Sequence, residues 1–149
     1  MFTLPHLFRH TPPPEPDDEL IHWDEDFSVG NGLLDNEHRD IVRVLNTLYH
    51  HQLRGGPPLD GEALLARVRE TVSVHFANEE DVLARHHCPM LTKHQTAHAA
   101  LLQDLADLTT ALPGLTAAAA LAALARLIRR IVVDHILVDD MDCREYLRE

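Results

Sequence analysis

His75 and Glu79 stand four residues apart, as do His94 and His98, and His135 is followed at four and five residues by Asp139 and Asp140. Side chains four apart project from one face of a helix, so each set can offer imidazole nitrogens or carboxylate oxygens to a common point. His38 lies upstream, in register with Ile41 and Leu45. One histidine on an apolar face is most often a satisfied buried imidazole. Five of them converging with carboxylates are different, because unneutralised they would cost on the order of 10 kcal/mol together, comparable with the whole stability of a domain. Metal ligation is the chemistry that neutralises such a set. Imidazole and carboxylate donors without thiolate suit iron or zinc, and so many donors exceed the needs of one ion, so two ions fit better.

Convergence has to be supplied by the fold. Gly55–Pro58, Cys88–Pro89 and Pro113–Gly114 punctuate the chain and separate four segments of helical period. The first carries Ile41, Val44, Leu45 and Leu48; the second carries Leu64, Leu65, Val68, Val72 and Phe76, with Asp60 as its expected N-cap. The third is predicted from Leu91 to Leu112 with Leu101, Leu102, Leu105 and Leu108 inward. The fourth starts after a capping Thr116 and carries Leu121, Leu124, Ile128, Ile131 and Val132. No segment reads as a strand. Short connections make consecutive helices antiparallel neighbours, which gives an all-α, up-down-up-down antiparallel four-helix bundle. In that topology the starts of odd helices and the ends of even helices share one end. His38, His75, Glu79, His94, His98 and His135, with Asp139 and Asp140, therefore meet.

The remaining sequence sets limits. A chain of 149 residues suits one domain with a sizeable core. A formal charge of −11 disfavours nucleic acid and anionic membrane surfaces as partners. The first twenty residues hold no apolar run of signal length, and the longest apolar tract, around Leu115 to Leu124, is alanine-rich and ends in arginines, so a soluble, cytoplasmic protein is expected. Two cysteines make no disulfide framework; Cys88 and Cys143 are expected as thiols at the same end of the bundle. Residues 1–20, with TPPPEPDDE, read as an extended, flexible N-terminal arm, and residues 21–149 as the bundle domain. His6, His10, His22, His50 and His51 read as solvated surface, His86 and His87 as turn residues, and Glu80 as a solvated neighbour of Glu79.

The stretches WDEDFSVGNGLLDNEH (Trp23 to His38), HFANEE (His75 to Glu80), H-x-x-x-H (His94, His98) and HILVDDMDCREYL (His135 to Leu147) occur in one order at one set of spacings. Over Ile21 to Leu147 the chain thereby resembles the hemerythrin family, in its bacterial form. The resemblance implies two iron ions joined by an oxo or hydroxo bridge. Glu79 and Asp140 would bridge them, His94, His98 and His135 would hold one, and His38 and His75 the other. Helical period alone would choose Asp139; the family's H-x-x-x-x-D motif selects Asp140 and requires a local distortion such as a π-bulge. Counting ligands leaves one open position, on the iron held by His38 and His75. The implied function is reversible O2 binding, for carriage, storage, delivery or sensing, with no enzymatic activity expected. Apolar neighbours Ile41, Phe76 and Val133 would line the O2 pocket. An oxygen-consuming or signalling protein would be the partner. The alternative is a di-iron oxidase, a peroxide-handling protein or a ferroxidase, which the histidine-dominated ligand set disfavours. Ile131 stands where many relatives carry tryptophan, and Cys88 where tyrosine is common, which bears on pocket shape and oxidation rate.

Overall fold

Asn31 opens the first long helix: its side chain accepts from the Leu33 and Leu34 amides, satisfying donors that the first turn leaves orphaned. In the computed structural model residues 20–149 are described, apart from the Leu59 side chain. The expected arm lies outside the described residues except for Leu20. Helix α1 runs Gly32–Leu53 and buries Leu34, Ile41, Leu45 and Leu48 completely. Helix α2 runs Pro58–Arg85. Asp60 is not its N-cap. Proline at the first helical position needs no amide partner and brings its φ already set, so the helix starts before Asp60, which sits in the first turn.

Helix α2 ends in a Schellman motif. The His87 amide donates to the Ala84 carbonyl at 3.1 Å and the Cys88 amide to the Leu83 carbonyl at 2.9 Å. His87 takes the left-handed conformation this closure needs, at φ 54°, and Cys88 packs with Leu83 in one buried cluster. A Cβ-bearing residue in that conformation carries a cost of roughly 1–2 kcal/mol. His87→Gly is therefore expected to raise the midpoint of thermal unfolding, by up to about 1 kcal/mol of stability; a lower midpoint would show that the imidazole makes a compensating contact.

Helix α3 spans Leu91–Ala111, and Thr116 caps α4, Ala117–Ile128, by accepting from the Ala119 amide at 3.1 Å. Beyond Ile128 the axis continues as a π-helix, Arg129–Asp140, before the short α5, Arg144–Leu147. Twelve residues is long for a conformation usually met as a single turn. Helix α1 packs against α2 and α4, α2 against α3, and α3 against α4 and the π-helix, which closes the four-membered bundle. No strand occurs among the described residues.

Two apolar clusters result. The larger fills the bundle; the smaller, with Val29, Leu34, Val82, Leu83, Cys88, Cys143 and Leu147, closes one end. Along α1, His38 falls between Leu34 of the small cluster and Ile41 of the large one. Along α2, His75 and Glu79 fall between Val72 and Val82. The lead-in segment is fastened over this end by Asp35, which accepts from the Val29 amide at 2.8 Å, and by Asn31, which donates to the Leu147 carbonyl at 3.1 Å. Gly30, at φ +80°, is needed in that fastening, because a Cβ there would also meet Arg148 at 3.1 Å.

Candidate metal centre

Between the two clusters the four helix axes deliver seven polar side chains into a dry interior. Helix α1 gives His38, α2 gives His75 and Glu79, α3 gives His94 and His98, and the π-helix gives His135 and Asp140; all are at most 3% exposed. They form two groups whose ligand-type atoms lie within 4.8 Å of one another. One contains His94, His98 and His135, the other His38 and His75, and Glu79 and Asp140 belong to both.

The carboxylates divide their oxygens between the groups. Glu79 Oε2 lies 3.0 Å from Nε2 of both His94 and His98, while its Oε1 faces His75 Nε2 at 4.0 Å. Asp140 Oδ1 lies 2.8 Å from His94 Nε2 and 3.2 Å from His135 Nε2, while its Oδ2 faces His38 Nε2 at 3.2 Å. Imidazole nitrogens also face each other: His38 and His75 Nε2 are 3.0 Å apart, His98 and His135 Nε2 2.9 Å. Two lone-pair-bearing nitrogens at that separation need a proton or a cation between them. Glu79 Oε1 and Asp140 Oδ2 are buried without a properly aligned hydrogen-bond donor. Such oxygens are costly unless a cation takes their lone pairs. The donor set and these orphaned atoms fit a pair of hard or borderline cations.

The π-helix explains the aspartate. Bonding from i to i+5 brings residues five apart onto one face, so Asp140 follows His135 into the interior, fully buried. Asp139 turns outward by one position and accepts from His135 Nδ1 at 3.2 Å. The same register corrects the expected pocket. Ile41 is fully buried and Phe76 is 3% exposed, but Val133 is 40% exposed and faces away from the site; Ile131 and Val132 take the inward positions instead. Phe76 lies flat on the His98 ring, centroids 3.8 Å apart and 4° between planes, and edge-on to His135. Trp23 covers the outer side of His38 at 6.3 Å, with the Arg39 guanidinium over its own ring.

A ring of partners holds the outer nitrogens. His75 Nδ1 meets Glu37 Oε2 at 2.9 Å, and Glu37 also receives the Asn78 amide. His98 Nδ1 meets Glu80 Oε1 at 2.7 Å, so Glu80 is a partner of the site rather than a solvated bystander. A carboxylate accepting from Nδ1–H fixes the tautomer that leaves the Nε2 lone pair aimed inward. Sequence reasoning missed Glu37 and Glu80; the available signal was that each is an acid directly beside a candidate ligand, as Asp139 is beside Asp140. His94 Nδ1 instead faces the Cys143 sulfur at 3.6 Å, and His38 Nδ1 has no hydrogen-bond partner among the described residues. His86, His87, His50 and His51 lie elsewhere: His86 Nδ1 meets the Tyr146 carbonyl and His51 Nε2 the Pro57 carbonyl, while His50 is buried at 6% exposure on α1 rather than solvated.

Charge in the cluster is strongly redistributed. Burial alone would push His94 down, but hydrogen bonds to Asp140 and Glu79 raise it to about 10. Burial likewise opposes the charge on His38, yet Asp140 and Glu79 hold it above its usual value. Glu79 is held well below the carboxylate range by His94 and His98 in spite of burial. His135 is lowered, chiefly by burial. In metal-stripped protein, protonated His94 thus stands in for a cation. Its raised value contributes stability that is complete below about pH 6.5 and is lost as pH rises towards about 10. Metal loading should expel this proton. Loading an unbuffered solution at pH 7 is expected to acidify it by at least one proton per chain, and metal affinity should rise with pH up to about 10. Affinity flat over that range would show that His94 binds no metal.

The family model described as Hemerythrin HHE cation binding domain matches residues 29–143, well over half of the chain. The chain is similar to Bacteriohemerythrin of Stenotrophomonas maltophilia (strain R551-3), 30% identical over 88 residues that cover 59% of this chain and 57% of that protein. It is similar to Hemerythrin-like protein of Naegleria gruberi, 27% identical over 121 residues, covering 81% of this chain and 88% of that one. It is also similar to Myohemerythrin of Riftia pachyptila, 28% identical over 94 residues, covering 63% of this chain and 72% of that one.

Proposed function

The chain belongs to the hemerythrin family, and from that premise we propose that it is a non-haem di-iron protein that binds O2 reversibly. One observation carries the reading: Glu79 and Asp140 each turn one oxygen to a three-histidine set and the other to a two-histidine set. His94, His98 and His135 would hold one iron and His38 and His75 the other, with both carboxylates shared. Two ferrous ions held there would supply the electrons and the open coordination position that reversible O2 binding requires. The protein's own part is positional. Glu37, Glu80 and Asp139 hold three imidazoles by their outer nitrogens with Nε2 facing inward, which fixes ring orientation at the site.

Water is kept out by Ile41, by the Phe76 ring on His98, and by Trp23 outside His38. Each buried carboxylate and imidazole of the cluster would serve as a ligand, an assignment that supports binding over catalysis. No helix among the described residues is long and apolar enough to cross a membrane. The protein's proposed site of action is the cytoplasm, where the bound O2 would pass to an oxygen-consuming or signalling partner.

The test is to load purified protein with ferrous iron without oxygen, then follow visible absorption through repeated cycles of oxygenation and degassing. We expect two irons per chain by elemental analysis and a band that appears and disappears over several cycles. A one-way change to a ferric spectrum with stoichiometric release of hydrogen peroxide would overturn O2 carriage. Failure to retain iron would overturn the metal assignment.

A further inference from the structure

Among the ligand histidines whose outer nitrogen has a partner, His94 differs: the others face carboxylates, whereas His94 Nδ1 faces the Cys143 sulfur at 3.6 Å. That sulfur is itself partnered. Cys88 and Cys143 are both buried, 6% and 1% exposed, within one small apolar cluster, and the Cys88 thiol is a hydrogen-bonding neighbour of the Cys143 thiol. Each is delivered by rigid backbone. Cys88 occupies the closing position of the Schellman motif after α2, and the Cys143 amide bonds the Asp140 carbonyl at 3.0 Å in the turn leaving the π-helix. A disulfide needs Cβ atoms about 3.5–4.5 Å apart, and the two thiols neighbour each other on backbones that the two turns fix.

Cys143 has an approach from solvent. Cys143 and His94 line a small half-open cavity of about 20 Å³ with Met90, Lys93, Ala97 and Asp142. A single water needs roughly 10–15 Å³ measured in this way, so the cavity admits a molecule of hydrogen peroxide's size and little more.

We propose that Cys88 and Cys143 are a redox-active dithiol, closed to an intramolecular disulfide by hydrogen peroxide entering the cavity beside His94. The O–O bond breaks as the Cys143 sulfur takes one oxygen, giving a sulfenic acid and one water. The Cys88 sulfur then displaces that oxygen as a second water and the S–S bond forms. In sum the two thiols lose two protons and two electrons, and the peroxide receives both. Both sulfurs are buried in the small apolar cluster, which limits the attack to an oxidant small enough to enter the cavity. Closure turns the sulfur beside His94 Nδ1 from a thiol into half of a disulfide, so peroxide would change the outer partner of a ligand histidine.

The experiment needs no iron, so it fails or succeeds separately from the oxygen-binding reading. Metal-stripped full chain is treated with excess hydrogen peroxide, denatured, alkylated and weighed by mass spectrometry. The expected product is a monomeric chain two hydrogens lighter, with no alkylatable thiol, joined peptides containing Cys88 and Cys143, and full return to two alkylatable thiols on reduction with dithiothreitol. Cys88→Ser and Cys143→Ser should each abolish the internal cross-link. The proposal is overturned if both cysteines remain alkylatable, if they oxidise separately to sulfinic acids, or if the only cross-links formed join two chains.

Discussion

Glu79→Gln is expected to lower the metal content from two ions per chain to one or none. Glutamine keeps a single carbonyl and replaces the other oxygen by an amide donor, whereas Glu79 turns one oxygen to His94 and His98 and the other to His75. Whichever way the amide is turned, one group loses its acceptor and meets N–H hydrogens at the position where a cation would sit. The affinity loss should exceed the roughly 10–100-fold that an outer hydrogen-bonding partner is worth. Metal-stripped protein should also weaken, because the buried His94 charge loses half of its counter-charge; removing one partner of a buried pair costs about 3–5 kcal/mol. Metal titration and chemical denaturation read the two effects. Unchanged stoichiometry and affinity would show that Glu79 is not shared between ions.

Asp140→Asn and Asp139→Asn should separate adjacent residues by more than an order of magnitude. Asp140 is fully buried with an oxygen towards each group, so its loss should resemble that of Glu79. Asp139 touches only His135 Nδ1, and its side chain is 32% exposed. Its loss should keep the stoichiometry and weaken metal binding about 10–100-fold by loosening the imidazole. The opposite ranking, read by the same titrations, would mean that this stretch runs in solution as an ordinary α-helix.

The two aspartates also mark where sequence reading reached its limit. The four helices were legible because Ile41, Leu45 and Leu48, or Leu101, Leu105 and Leu108, recur at the helical period and are buried as that period requires. His38, His75, Glu79, His94, His98 and His135 were legible as a converging set for a related reason: three- and four-residue spacing fixes a face, and antiparallel topology fixes an end. Period alone fails from Arg129 onward. A π-helix turns by a different angle per residue, so it sends Val133 outward and Asp140 inward against ideal α-helical arithmetic. Only the family motif pointed to Asp140. Glu37 and Glu80 were hidden for another reason. Glu37 and Glu80 touch His75 and His98 through long side chains reaching sideways between helices, and an acid at a helix surface has no spacing that distinguishes this from solvation.

The π-helix also has a consequence in time. An i to i+5 ladder is rarely stable by its own backbone bonding, so Arg129–Asp140 depends on interior anchors: Ile131, Val132 and Ile136 in the large cluster, and His135 and Asp140 in the site. Segments whose stability comes from a few contacts are the first to open locally. Amide protons of 129–140 should therefore exchange with solvent faster than those at the centre of α2 in metal-stripped protein, despite comparable burial, and slow markedly when both groups are filled. Exchange in this one segment that does not respond to metal would show that the π-turns stand by themselves. If it does respond, the backbone of the fourth helix is a clock for how long the site stays closed.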